Sequence, residues 1–368
     1  MLDKLFAILG LALLMVVHEG GHFLAARAYG MRVLRFSIGF GPTFFKIVPK
    51  DGFFWFTTLG DRVRFRLWKH DPERHGPTIF QVAMIPFLAF VQVAGMNPLE
   101  DIDAKDKGSY ANASLTGRIV TIFAGPAANY LFASVLFFAA FYFGGRPYLP
   151  TDVNVIDGRP AAAASVKSGD RIVEVGGVKV EEWDKMADVI SKNPGKPLPL
   201  VVLRGGERVV LTVTPSNDGG LGKIGVSARG PTKRAPISAK ESCWLAISEP
   251  PKTVKNALTG LSDWIRGRAK GELSGPVGIV REAANASKLG WSYLVWLLGA
   301  LSAYLGAFNL LPIPALDGGR LLFLGYEAAT RRRPNALIEA HIHAVGVVLM
   351  LGLVLYVTVA NDLGFRAK

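Results

Sequence analysis

The sequence predicts a polytopic α-helical membrane protein with four transmembrane helices, a β-rich segment after the first and one inserted α/β domain, and three observations predict it. Half of the 368 residues are hydrophobic and only 19% are charged, a balance displaced from that of soluble domains. Four segments, residues 3–29, 118–143, 291–312 and 341–361, are apolar over the roughly 20 residues that a helix needs to cross a bilayer. Between the second and third lies a long polar stretch with strand and turn signals of its own.

The first segment, within residues 1–30, opens like a secretory leader, with Lys4 ahead of an apolar run ending at Val17. His18 and Glu19 then stand where a small-residue cleavage site would be, and the apolar pattern resumes at Phe23, Leu24 and Ala25, which favours a retained span. Basic residues near span ends set orientation. Arg27, Arg32 and Arg35 follow the first span, Arg118 opens the second, and Arg320, Arg331, Arg332 and Arg333 lie between the third and fourth. Those ends are expected in the cytoplasm, with both termini and residues 144–290 on the outer side. The net charge of +13 is accounted for by such loops or by an anionic membrane surface, and no long basic run points to nucleic acid. The single cysteine, Cys243, excludes an intrachain disulfide and a thiolate metal site, leaving His and carboxylate as ligands.

Residues 31–117 are predicted to be β-rich. Alternating runs at Arg32–Ile38, Phe44–Val48, Phe53–Thr58 and Val63–Leu67 are punctuated by Gly39, Gly41, Pro42, Gly52 and Gly60, the pattern of small hairpins. The aromatic density suits either a sheet dipping into the membrane interface or a plain hydrophobic core. The apolar run 79–96 contains Pro86 and reads as strand and re-entrant segment rather than a span. Within 144–230, strands are expected at Arg171–Val175, Leu198–Leu203 and Arg208–Val213 and a helix at Trp183–Ser191. Residues 231–290 follow as amphipathic helices carrying Trp244 and Trp264 and broken at Pro250 and Pro251. The remaining assignments are the third span with its loop over 291–340, and the fourth span with the C-terminus over 341–368.

The chemistry stands on the first span. His18-Glu19-Gly20-Gly21-His22 has the H-E-x-x-H spacing. Helix positions four apart differ by about 40°, so both imidazoles face one point, and Glu19 lies about 100° away. That arrangement offers two zinc ligands and a carboxylate able to take a proton from a metal-bound water without binding the metal. Ionisable groups at the end of an apolar helix require partners, which disfavours a purely structural role for the pair. Gly20 and Gly21 weaken the helix and permit close approach of a neighbour.

The third span ends in Asn309-Leu-Leu-Pro312-Ile-Pro314-Ala-Leu-Asp317-Gly318-Gly319. Asp317 by itself reads as a turn-forming Asp-Gly, but it falls on the cytoplasmic side with His18 and His22, and two imidazoles, a carboxylate and an open position make a catalytic zinc site. Pro312 and Pro314 break regular helix and free backbone groups inside protein or a wet cavity. Asn129 and Asn309 are polar within apolar spans, and each is a candidate for substrate or oxyanion contact or for interhelical packing. His70, His75, His341 and His343 are spare, the last two at the mouth of the fourth span.

Taken together, H-E-x-x-H on the first span, Gly125-Pro126-x-x-Asn129 on the second and Asn309-x-x-Pro312-x-Pro314-x-Leu316-Asp317-Gly318 after the third resemble the site-2 protease family, in its bacterial RseP-like branch. Phe36–Pro42 looks like that family's membrane re-entrant β-loop, Ser274–Ile279 is similar to the branch, and Pro160–Gly177 looks like the entry to a single PDZ domain. The resemblance implies a zinc metalloendopeptidase of the bacterial inner membrane. It implies Zn2+ held by His18, His22 and Asp317 and Glu19 as base, beside which Asn129, Asn309, Pro312 and Pro314 stand as candidate substrate-contacting residues. The implied partners are the bilayer and transmembrane protein substrates already cut by another protease, such as anti-sigma factors or signal-peptide remnants, and no nucleic acid. The PDZ-like domain is then extracytoplasmic and the active site toward the cytoplasm. The sequence departs from the family's pattern after Ile85-Pro86, where Leu88 and Ala89 replace a usual pair of glycines, and in a long aromatic insert over 51–76. A noncatalytic PDZ-bearing adaptor is disfavoured because ligands and base are all present, and a metal transporter because only one ligand cluster is visible.

Overall fold

The computed structural model describes residues 2–58, 63–230, 232–268 and 274–364, without the side chains at 40, 73–74, 85–88 and 264–265. The expected turn at Gly60 and the side chains of Leu88 and Trp264 lie outside the described residues. Two compact units emerge: residues 1–140 with 239–368, and residues 141–238.

The first unit opens on α1, Leu2–Ala28, whose Leu- and Ala-rich sequence favours an unbroken helix despite Gly20 and Gly21. The two glycines differ in use. A methyl at Gly21 would meet the Ala124 carbonyl oxygen at 2.2 Å, whereas one at Gly20 would meet nothing within 4 Å. Only Gly21 therefore serves the close approach expected of both.

After α1 comes a four-stranded sheet in the order β3-β2-β1-β4, built from β1 (Val33–Lys50), β2 (Phe53–Thr58), β3 (Arg64–Lys69) and β4 (Ile79–Val93), with the short α2 at Pro72–His75. The two separate strands expected across 32–48 are the two arms of β1: residues 35–38 and 45–47 pair with opposite edges of 79–82, so the chain reverses between them at the tip bearing Gly39, Gly41 and Pro42. At that tip Phe40 lies opposite Ile85 and Thr43 opposite Ala83. Residues Arg35–Ile38 have partners on both flanks, at 89–92 and at 79–82. β4 turns back likewise, since its residues 79–82 and 89–92 lie on opposite flanks of Arg35–Ile38.

Three helices of this unit are long and apolar enough to cross a membrane among the described residues: α3 (Leu115–Gly144), α8 (Trp291–Asn309) and the run Ala336–Asp362, whose regular part is α10 (Ala336–Val357). The last is the most apolar, and Leu349, Leu351, Leu355 and Tyr356 are exposed along it, the pattern of a helix with lipid for a neighbour. These helices mark a membrane protein.

The unit at 141–238 is mixed α/β. Its elements in order are β5 (Arg146–Tyr148), β6 (Val153–Val155), α4 (Pro160–Ala163), β7 (Arg171–Val175), β8 (Val178–Lys179), α5 (Trp183–Ser191), β9 (Leu198–Arg204), β10 (Glu207–Val213), β11 (Ser216–Asp218), β12 (Leu221–Lys223), β13 (Val226–Ala228) and β14 (Lys233–Ala235). The main sheet runs β10-β9-β7-β8, and alternate residues Leu198, Leu200 and Val202 of β9 bury one face with Ile172, Val175, Met186 and Ile190. Asp170 is buried at the start of β7, where Arg204 and the Lys167 amide hold its carboxyl below the usual carboxylate range.

The chain then forms α6 (Ala239–Ile265) and α7 (Pro276–Leu289). The break expected at Pro250 and Pro251 does not occur, and α6 runs straight through both. Two missing N–H groups leave carbonyls unpaired one turn earlier, a loss that the packing of α6 on α8 offsets. Between α8 and α10 the sequence predicted a loop, yet Asp317 is the first residue of a helix, α9 (Asp317–Thr330). An acidic residue in a first helical turn is electrostatically favourable, which a turn reading of Asp-Gly-Gly overlooks.

Candidate metal centre

His18 and His22 stand one turn apart on α1 and are 5% and 7% exposed, so neither ring is solvated. Their Nε2 atoms are 3.2 Å apart, and the Asp317 Oδ2 lies 3.1 Å from that of His18 and 3.3 Å from that of His22. Ligand atoms at zinc distances and tetrahedral angles are about 3.3 Å from one another. The Asp317 Oδ2 is buried and lacks a hydrogen-bond partner of its own. Three electron-pair donors packed this closely repel unless a cation sits among them, so the donor set fits zinc. Among the described residues this is the one His/Cys/Asp/Glu group that converges in this way.

The neighbouring helices aim the rings. The His22 Nδ1 is 2.8 Å from the Thr121 carbonyl oxygen on α3, an acceptor that keeps the proton on Nδ1 and leaves Nε2 a lone pair toward the metal. Gly125 makes room for this ring, because a methyl there would come within 2.3 Å of Nε2. The side-chain amide of Asn129 lies 3.3 Å from the His18 Nδ1, and its Oδ1 is buried with no partner when Nδ2 faces the ring. Turning the amide over gives Oδ1 the His18 Nδ1–H as donor and frees the His18 Nε2 as it frees that of His22. Asn129 is fully buried, so it faces His18 rather than an open substrate channel. Its own carbonyl accepts from Ser302 of α8 at 2.8 Å.

Glu19 does not join the cluster of donors. Its Oε2 accepts the Val91 N–H at 3.0 Å, which ties the carboxylate to β4. Asp317 is fixed from two directions. Farther along α9, Glu327 receives a two-armed ion pair from Arg118 of α3 at 2.9 and 2.5 Å. In the preceding linker Ala315 takes a positive φ of 77° and donates its N–H to the His343 Nδ1 of α10 at 3.2 Å. Pro312 and Pro314 lie in this linker, and a methyl at Gly346 would strike Pro314 at 2.5 Å, so α10 packs tightly against it. Asn309 points its amide back to the Leu305 carbonyl of its own helix at 2.9 Å.

Sequence reasoning treated His343 as spare and gave no role to Thr121 or Val91. No spacing pattern reveals them, because each acts across a contact between elements far apart in the chain. His341 caps its own turn through the Leu337 carbonyl at 2.6 Å, and His70 and His75 belong to the β-rich segment.

Comparison with known proteins agrees with this geometry. The model of peptidase family M50 matches residues 6–353. A protein of Nostoc sp. (strain PCC 7120) is 31% identical over 97% of this chain and 95% of its own length. One from Mesorhizobium japonicum is 32% identical over 93% of each chain, and one from Clostridium perfringens 28% identical over 97% of each. All three carry the name "Putative zinc metalloprotease". Matched over most of its length and carrying a donor set suited to the metal, the chain belongs to peptidase family M50, the site-2 protease family, and is a zinc-dependent metalloprotease.

Proposed function

We propose that this protease cuts peptide bonds within or beside the transmembrane segments of other membrane proteins, with His18, His22 and Asp317 as the zinc ligands and Glu19 as general base. The observation that carries the reading is the meeting of three donor atoms within 3.3 Å at the end of the apolar helix α1, which we take as a fourth span. Zinc, when bound there, supplies Lewis acidity that brings the pKa of a water ligand to about 7 and polarises a carbonyl. Glu19 takes the proton released as water attacks the substrate carbonyl and returns it to the departing amine. Thr121 and Asn129 hold the two rings in the tautomer that the metal requires.

A spanning substrate arrives as a helix whose carbonyls are already hydrogen-bonded, so it must unwind first. We assign the receiving surface to residues 89–93 of β4, an outer strand of the sheet whose Val91 amide already reaches Glu19. Beside it lies a cavity of about 610 Å³ lined by Phe90, Val91 and Gln92 together with Arg320 and His343. An extended peptide added to that edge gains main-chain hydrogen bonds and passes the metal. The unit at 141–238 is then a PDZ-like domain on the extracytoplasmic face of the inner membrane, and it acts on access or recognition because it cannot reach across about 30 Å of hydrocarbon.

Mapping the cut by mass spectrometry in a single-span model substrate, with the enzyme reconstituted in vesicles, tests the proposal. A cut inside or at the end of the apolar segment, faster when Gly or Pro loosens the helix there, is expected. Cleavage confined to soluble regions, insensitive to helix-loosening residues, contradicts it.

A further inference from the structure

An extended substrate laid on β4 is paired along one side only. Alternate residues of a strand turn their N–H and C=O groups toward the edge they join, and the rest point away, so the added strand becomes a new edge with unpaired groups of its own. At membrane depth such backbone is stable only where protein or a wet cavity satisfies it. The cavity of about 610 Å³ beside residues 90–93 contains groups of the required kind, since Arg320 of α9 and Glu339 and His343 of α10 line it. Arg320 stands three positions after Asp317, about 60° around the helix from that metal ligand. Its guanidinium makes no hydrogen bond and no ion pair among the described residues, and Glu339 acts on it through charge without a contact. The His343 Nδ1 accepts the Ala315 N–H at 3.2 Å, which leaves the ring proton on Nε2. That Nε2 is buried and has no partner, a donor awaiting an acceptor. Phe323 of α9 packs on the ring at 5.6 Å and so couples it to the helix that carries Arg320.

We propose that Arg320 and His343 are substrate-binding residues that donate to the outward carbonyls of a substrate strand laid on β4, with Glu339 accepting an outward N–H. The unwound segment is then held along both of its edges, by β4 on one and by α9 and α10 on the other. The contacts go to main chain, which every residue offers, so the clamp receives any segment that leaves the helix and selects extended backbone rather than a particular side chain. The inference rests on the assignment of residues 89–93 as the receiving edge and deepens that part of the proposed function.

Cleavage of a single-span substrate by the zinc-loaded, full-length enzyme in vesicles separates binding from chemistry. Arg320→Met and His343→Asn each raise KM about tenfold, the scale of one hydrogen bond lost to a carbonyl with no other donor, while kcat stays within about twofold. Zinc content is unchanged in both. The Asn side chain keeps an acceptor for Ala315 and removes the distal donor, whereas His343→Gln restores an N–H near the Nε2 position and forgoes that acceptor. KM therefore recovers in His343→Gln and not in His343→Asn. The reverse order, an unchanged KM in Arg320→Met and His343→Asn, or loss of zinc in either overturns the clamp. A disulfide between Gln92→Cys, on the exposed side of β4, and a cysteine moved along the substrate's apolar segment reports strand addition separately. Where that disulfide forms and KM is unchanged, the clamp alone fails; where it forms at no substrate position, the receiving edge beneath it fails as well.

Discussion

At the scale of single residues, the metal centre depends on partners that the ligands meet through their far nitrogens. If Asn129 holds His18 by its Oδ1, then Asn129→Leu, similar in volume and without an acceptor, lowers zinc affinity 10- to 100-fold, roughly the usual effect of losing an outer hydrogen bond to a ligand. Asn129→Asp retains an acceptor and restores most of it. Competition with a chelator measures both, and equal affinity in the Leu variant contradicts the assignment. This also marks where the sequence stops being legible. His18, Glu19 and His22 are readable because a helix turns a four-residue spacing into a shared direction. Asp317 is readable only through its depth, matched to theirs across 294 intervening residues. Asn129 announces itself as a polar residue in an apolar span, yet its partner is a ring on another helix. His343 gave no signal at all, since its contact is with the backbone of Ala315.

Among elements, the seam between α1 and α3 decides whether the centre can form. Gly21 and Gly125 face each other's helices there, and Gly20 faces open space. Gly125→Ala drives a methyl into His22, so it lowers both zinc content and activity, with an overpacking cost of about 1–3 kcal/mol. Gly20→Ala meets no neighbour, keeps its zinc and stiffens the helix by about 1 kcal/mol. Zinc analysis and thermal unfolding of the two variants compare them, and equal behaviour contradicts the seam. Short elements with strong local signals were foreseen: Trp183–Ser191 is a helix and Arg171–Val175 a strand, as their periodicity predicts. Misreadings gathered where tertiary contacts override local rules. α6 continues through two prolines while packed on α8. Asp317 looked like a turn because an Asp-Gly pair favours one, yet it opens α9.

At the scale of the whole molecule, orientation and access can be read from one native thiol and one deletion. Cys243 is exposed at the start of α6, in the segment that the charge pattern assigns to the outer side. A membrane-impermeant maleimide therefore labels it in intact spheroplasts, and labelling only after the membrane is breached reverses the topology. Removal of residues 151–230 tests the role proposed for the unit at 141–238. If that unit obstructs bulky substrates, its deletion relieves discrimination against a substrate with a folded outer domain and leaves a short-tailed one cut. Unchanged discrimination in a zinc-loaded deletion variant contradicts a gate.

The central claim is a division of labour between three ligands and one base, and zinc-to-protein stoichiometry measured beside cleavage tests it most directly. One zinc per chain is expected in the wild type and in Glu19→Gln, with cleavage reduced at least 100-fold, roughly the lower bound for loss of a general base, in the latter. Both zinc and cleavage are lost in His22→Ala and Asp317→Ala. Full zinc in both ligand variants, or undiminished cleavage by Glu19→Gln, would contradict the site as described.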